Sequence, residues 1–256
     1  MRAFMRGSKF LIEGTLETMP AQNAIMPDTA SAVAPAATGS PTAALDAAQS
    51  QLLLIDHQQR LMPAIHEGPS VLANALRLAK LAQALELPCI GTEQSPDKLG
   101  PIDPDLRPLC GRVLAKTHFD ACAESLLEAV ARNIADGRTQ LVVAGCEAHV
   151  CLLQTVLGLR RAGHSVWVVA DACGARHAAN RDVALARMAA AGVQLVTTEM
   201  VGFEWVRHAG HPAFRLLQSL VRWTRFGCSR AHEGPRHTER RMRPARHRLL
   251  PHRQAA

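Results

Sequence analysis

The chain has 256 residues, 48% of them apolar, enough to bury one sizeable core, which excludes a wholly disordered polypeptide. No apolar run approaches the ~18–20 residues that cross a bilayer, so no membrane-spanning helix is expected. The net charge of +7 invites nucleic acid, but residues 223–256 alone hold nine arginines against two glutamates, so the rest of the chain is balanced.

The N-terminal "MRAFMRGSKFLIEGTLE" is basic, but its apolar stretch "FLI" is too short for a secretory signal. Residues 18–49 are mostly Ala, Pro, Ser and Thr with few large apolar side chains, and residues 1–49 read as a disordered leader. The globular domain is expected over 50–222. Within it, short apolar runs rich in β-branched residues predict six strands: 51–56, 88–93, 112–117, 140–145, 165–171 and 193–198. Amphipathic patterns between them predict helices over 69–87, 121–137, 150–163 and 180–192, with a last helix over 200–221. Three of these end in Gly137, Gly163 and Gly192, the residue type that best adopts the left-handed conformation closing a helix. Repeated strand–helix alternation predicts an α/β fold: a three-layer α/β/α sandwich around a mostly parallel six-stranded sheet. Residues 223–256 read as a disordered basic tail. Arg, Pro, His and Ala without aromatic interleaving fit an unselected extension better than a nucleic-acid-binding segment.

Ligands of open parallel sheets sit beyond the carboxyl ends of the strands. Several predicted strands end in an ionisable residue: Asp56 on the first, Lys116 on the third and Asp171 on the fifth. The fourth runs into "AGCEAHVCLLQT" (144–155), which holds Cys146, His149 and Cys151. Taken singly, each has an ordinary reading: a turn former, a solvated charge, small core filler. Asp171 is kept as such a turn former. Together, Asp56, Lys116 and Cys151 meet at one sheet edge, and their chemistry is complementary. A thiolate is nucleophilic, and a helix start or a nearby ammonium lowers the pKa of a thiol. Asp56 can take the thiol proton and return it to a leaving group, and backbone N–H groups near Glu147 and Cys151 can hold an oxyanion. The rival is a metal site, because Cys146, His149 and Cys151 form C-x-x-H-x-C. That spacing matches no zinc knuckle, no second ligand pair follows, and no metal or cofactor is expected. A nucleotide cradle lacks its glycines.

Asp at the first strand end, Lys in "AKTHF" (115–119) and "GCEAHVC" (145–151) before a helix resemble the isochorismatase-like cysteine hydrolases. "TEQSPDKLGP" (92–101) and "TTEMVGFEW" (197–205) resemble the subgroup of isochorismatase domain-containing proteins, and the likeness runs from about Leu52 to Val221. The resemblance implies the three-layer hydrolase fold of that family and an Asp56–Lys116–Cys151 triad. It also implies a cis peptide bond between Cys146 and Glu147, leaving the N–H groups of Glu147 and Cys151 as the oxyanion hole. A retained cysteine fits the amidase branch. The Asp-x-His metal pair of nicotinamidases is missing; "TEQSPDKLG" occupies its place.

The sequence thus predicts a hydrolase acting on a small C–N substrate through an acyl-enzyme, with Gln94 and Phe119 as pocket residues. An odd count of seven cysteines with no C-x-x-C spacing fits a reducing, cytoplasmic setting. The resemblance, with the apolar residues of the last helix, implies a homodimer or higher homo-oligomer. Two alternatives stand beside this reading: an idle binding or scaffold protein on the same fold, and nucleic-acid binding through the Arg-rich tail.

Overall fold

The computed structural model describes residues 44–222; the expected tail, and the expected leader up to residue 43, lie outside them. Six strands form one sheet: β1 (Ser50–Ile55), β2 (Cys89–Gln94), β3 (Arg112–Lys116), β4 (Gln140–Gly145), β5 (Ser165–Val169) and β6 (Gln194–Val196). Their spatial order is β3-β2-β1-β4-β5-β6, and every neighbouring pair is parallel. The helices are α1 (Gly68–Ala84), α2 (Pro96–Leu99), α3 (Leu126–Ala135), α4 (Leu153–Arg161), α5 (Ala178–Ala190), α6 (Thr198–Val206) and α7 (Phe214–Arg222).

Successive side chains of a strand point to opposite faces, so a sheet covered on both sides needs unbroken apolar runs. In β1, Leu53 and Ile55 join Val143 and Val168 against Leu126 and Val130 of α3, Val156 of α4 and Met188 of α5. The alternate residues Leu52 and Leu54 join Val142 and Trp167 against Leu78 of α1, Val201 and Trp205 of α6 and Leu217 of α7. These two cores make the three layers. Gly137, Gly163 and Gly192 take φ of 85°, 83° and 79°, as residues closing a helix do.

The last helix differs from expectation. It is two helices, because Arg207 turns the chain out of α6 with φ 63° and Phe214 restarts it. Residues 121–137 also divide, into a 3-10 turn (Ala121–Ala123) capped by Asp120, then α3. Asp171 plays the structural part expected of it: its Oδ1 accepts from the backbone and hydroxyl of Thr198 at 2.8 and 2.9 Å, securing the first turn of α6.

The packed body starts before residue 50. Leu45 is fully buried, and its N–H donates to the Glu204 carboxylate at 2.6 Å. The Asp46 N–H donates to Gln140 Oε1 at 2.7 Å, and its carboxylate meets Arg207 at 3.1 Å. The compositional average over residues 18–49 hides this anchor, a single leucine among small residues. Leu45→Ala in the full chain should therefore lower stability by about 2–4 kcal/mol in urea unfolding. A loss below about 0.5 kcal/mol, typical of surface positions, would mean the segment is not part of the fold.

Candidate active site

The strand order reverses between β1 and β4, and in such sheets the crevice forms beyond the carboxyl ends of those strands. Asp56 follows β1 directly and turns with φ 52°, a left-handed conformation that Asp tolerates better than most residues. Its backbone N–H donates to Thr92 Oγ1 at 3.2 Å, and the Thr92 hydroxyl donates to Asp56 Oδ1 at 2.6 Å. Lys116, the last residue of β3, reaches across β2 so that Nζ lies 2.7 Å from Asp56 Oδ2. Gln94, paired with Lys116 in the β2–β3 register, offers Oε1 to the same ammonium at 2.7 Å, and the His118 carbonyl lies at 3.3 Å. An ammonium has three hydrogens, and each finds an acceptor here. Side-chain exposure is 2% for Lys116 and 0% for Asp56. Taking two charges out of water costs several kcal/mol each, and only a close, fully hydrogen-bonded pair offsets it.

The surroundings hold this pair in place. Gln58 Nε2 donates to the Gln94 and Gly100 carbonyls, and its Oε1 accepts from the Gln94 N–H, which locks the end of β2. Gln94 Nε2 donates to the Thr117 carbonyl at 2.7 Å, fixing which way the amide faces. Glu124 Oε1 accepts from the Thr117 and His118 N–H groups, both at 2.8 Å, and from the His118 ring, clamping the turn after Lys116. Those bonds, the one from the His118 backbone foremost, draw the Glu124 carboxyl down to about 2.

Cys151 enters from β4. The Cys146–Glu147 peptide is cis, the Ala148 N–H donates to the Gly174 carbonyl at 2.7 Å, and residues Ala148–Leu152 form a π-helical turn ahead of α4. This turn places the Cys151 thiol 3.9 Å from Gln94 Oε1, the same oxygen that accepts from Lys116, and close enough to Asp56 and Lys116 to feel both charges. Here the expectation of a lowered thiol pKa fails. Burial and the Asp56 charge outweigh Lys116, and the thiol is pushed up to about 12. At rest the Cys151 side chain is therefore a thiol beside the Asp56 charge.

Gln94 thus joins Asp56, Lys116 and Cys151. Phe119 does not lie with them in the buried cluster: it is 51% exposed on the turn after β3, and its carbonyl accepts from the Thr155 hydroxyl. The Glu147 side chain is paired with Arg176 Nε at 3.0 Å; burial would raise its carboxyl, but the Arg176 N–H and guanidinium hold it below the ordinary range. Cys146 packs with Met62, Ile65 and Val71, whereas Cys151 packs in the core under α3, α4 and α5, so the C-x-x-H-x-C thiols diverge. Among the described residues, no group of three or more His, Cys, Asp or Glu converges as a metal site.

Sequence reasoning missed Thr92, Gln58, Glu124 and His57. Thr92 is legible only once β1 and β2 are known to be neighbours. The His57 ring is fully buried, its Nε2 lies 3.4 Å from the Ala172 carbonyl, and burial pushes its pKa down to about 4, so the ring is neutral.

The fold and this edge define a class: a doubly wound parallel sheet with a buried Asp–Lys pair and a thiol at its crevice. Residues 50–200 match the family model described as the isochorismatase domain. The mouse isochorismatase domain-containing protein 2A is 38% identical over 176 residues, covering 68% of this chain and 82% of the relative. This chain belongs to the isochorismatase family, and its solved neighbours include hydrolases of that fold. The MAR1 ribonuclease of Caenorhabditis elegans superposes with a TM-score of 0.64 at 31% identity over 70% of this chain and 92% of that one. YcaC of Pseudomonas aeruginosa, solved with hexane-2,5-diol and covalent acrylamide, gives 0.63 at 30% over 72% and 98%. The Escherichia coli YcaC gene product, an octameric hydrolase of unknown specificity, gives 0.61 at 28% over 72% and 99%.

A raised thiol pKa has a definite signature. The thiolate fraction of Cys151 should grow about tenfold per pH unit. Its alkylation by iodoacetamide, followed by peptide mass spectrometry, should therefore climb through the alkaline range without levelling off before about 12. A plateau near neutrality would show a resting thiolate instead.

Proposed function

We propose that the chain is a cysteine hydrolase of a small C–N substrate, an amide or a close analogue, with Asp56, Lys116 and Cys151 as its catalytic residues. The observation that carries this reading is the meeting of the Cys151 thiol and the buried Asp56–Lys116 pair at Gln94 Oε1. As the substrate carbonyl approaches, Sγ attacks its carbon while the thiol proton passes to Asp56. The oxyanion of the tetrahedral intermediate is received by the backbone N–H groups of Glu147 and Cys151. Asp56 then returns the proton to the departing nitrogen, the C–N bond breaks, and a thioester remains on Cys151. Water, deprotonated by Asp56, attacks the thioester carbonyl; the C–S bond breaks, the carboxylic acid leaves, and Asp56 returns the proton to the Cys151 sulfur. Lys116 holds the Asp56 carboxylate and sets its direction, and Gln94 orients thiol and ammonium towards each other.

The covalent acrylamide on the Pseudomonas relative is what a nucleophilic side chain, thiolates foremost, makes of that electrophile. Burial of the reacting groups favours a small molecule, and 4% aromatic content with no tyrosine leaves few stacking surfaces for a large ring. The Caenorhabditis relative, a ribonuclease by name, raises a second reading. A polynucleotide site pairs open cationic surface with stacked aromatics, whereas Lys116 is closed against Asp56. We also propose a homo-oligomer. α7 does not carry its interface alone, since Leu217 is buried within the chain; Leu195, Met200 and Phe203 stand 37%, 45% and 48% exposed along β6 and α6.

An ammonia-release screen over small amides should find turnover that falls about 10³-fold or more in Cys151→Ala and Asp56→Asn. Asp56→Asn should at the same time speed the resting alkylation of Cys151, because the charge that raises its pKa is gone. Amide turnover that survives Cys151→Ala would contradict the mechanism. So would cleavage of RNA that depends on the triad while no amide is hydrolysed.

A further inference from the structure

The active edge uses one cysteine, and two others meet at the opposite end of the sheet. Cys89 is the first residue of β2, and Cys110 closes the 3-10 turn Arg107–Leu109 just before β3. The β2–β3 register sets Ile90 opposite Arg112, and its continuation puts Cys89 opposite Gly111, one residue from Cys110. Both pack in the core on the α1 side of the sheet. Gly91, two residues on from Cys89 and so on the same strand face, leaves room for the second thiol. A Cβ built there would stand 3.1 Å from Cys110 Sγ. The two thiols lie over one patch of β2, close enough to shift each other's ionisation. Neighbouring strands run about 4.8 Å apart, and a disulfide accepts Cα separations of about 4.4–6.8 Å, so an offset of one residue between adjacent strands suits a bridge.

We propose that Cys89 and Cys110 are an oxidisable dithiol, a modification site that closes to an intramolecular disulfide by exchange with a low-molecular-weight disulfide such as oxidised glutathione. The site stands independently of the amidase reading.

Exposure divides the roles. Cys110 is partly exposed and Cys89 is buried, so the small disulfide meets Cys110 first. The neighbouring Cys89 thiol holds the Cys110 thiol below its ordinary range; burial and the Glu93 charge oppose this and the Arg107 guanidinium adds to it. By contrast Cys122, Cys146, Cys151 and Cys173 are all pushed up by burial. The Cys110 thiolate attacks one sulfur of oxidised glutathione, that S–S bond breaks, and one glutathione thiolate leaves and is protonated. Cys89 then gives up its proton and attacks the Cys110 sulfur, expelling the second glutathione. Two electrons pass from the protein dithiol to the oxidant, which is reduced to two glutathione thiols. The bridge ties the turn before β3 to the start of β2. The same turn is already held further along β2 by Arg107, 3.1 Å from Glu93, whose carboxylate also accepts from the Ile102 N–H at 3.0 Å. The product is a more stable fold with its active edge unaltered.

The test equilibrates the full-length folded protein with oxidised glutathione, then blocks free thiols and maps peptides by mass spectrometry. A Cys89–Cys110 crosslink should form before any other and be reversed by dithiothreitol. The thermal midpoint should rise by about 5–10 °C, as for a loop of this length. In Cys110→Ser, or in Cys110→Ala if that folds better, both the crosslink and the rise should vanish. Glutathione left on Cys110 without closure would overturn the proposal. So would earlier crosslinks among other cysteines, both thiols staying free under oxidation, or a rise in midpoint that persists in the Cys110 variants.

Discussion

An ammonium and a carboxylate held 2.7 Å apart beneath the carboxyl edge of the sheet set the terms for the whole crevice. Neither charge would be tolerated there alone. Lys116 must come from a strand end, because only a fixed backbone can deliver Nζ across an intervening strand. That strand, β2, must present polar side chains on the way, and it does so with Thr92 and Gln94. The clamp of Glu124 on residues 117 and 118, and the lock of Gln58 on Gln94, follow from the same need. Without them the ammonium would have room to turn toward water, and the carboxylate would lose its direction.

The pair also explains the state of the thiol. A carboxylate beside a buried Cys151 keeps the proton on sulfur, so the site rests as acid and base side by side rather than as an ion pair of thiolate and lysine. A resting thiolate is the form that small oxidants and electrophiles attack. In the proposed reaction, the proton stored on sulfur leaves for Asp56 only as the carbonyl arrives to take the electrons. The neutral ring of His57 next to Asp56 adds no competing charge to this balance.

Much of this was legible in the sequence because the physics is local or periodic. Unbroken apolar runs such as "LLLI" and "LVVA" mark strands covered on both faces, and glycines at 137, 163 and 192 mark helix ends. Asp56 and Lys116 stand out as charges at the ends of apolar strands. What the sequence did not reveal depends on which strands are neighbours and on solvent. The role of Thr92 needs the β1–β2 pairing, and Glu124 acts through a turn seven residues back. The thiol pKa turned on burial, which a helix start and a nearby lysine do not disclose. The break after Arg207 was signalled by Gly210 and Pro212, which the apolar pattern over 200–221 overrode, and Leu45 was one anchor lost in a run of small residues.

The claim on which the account rests is that Lys116 and Asp56 act as one buried unit. A double-mutant cycle of Asp56→Asn, Lys116→Met and the two together, read by urea unfolding, tests it most directly. Each single change should cost about 3–5 kcal/mol by leaving a buried charge without its partner, and the double variant should recover much of that loss. If the two single losses instead add in the double variant, the residues are independent, and the crevice is not organised around this pair.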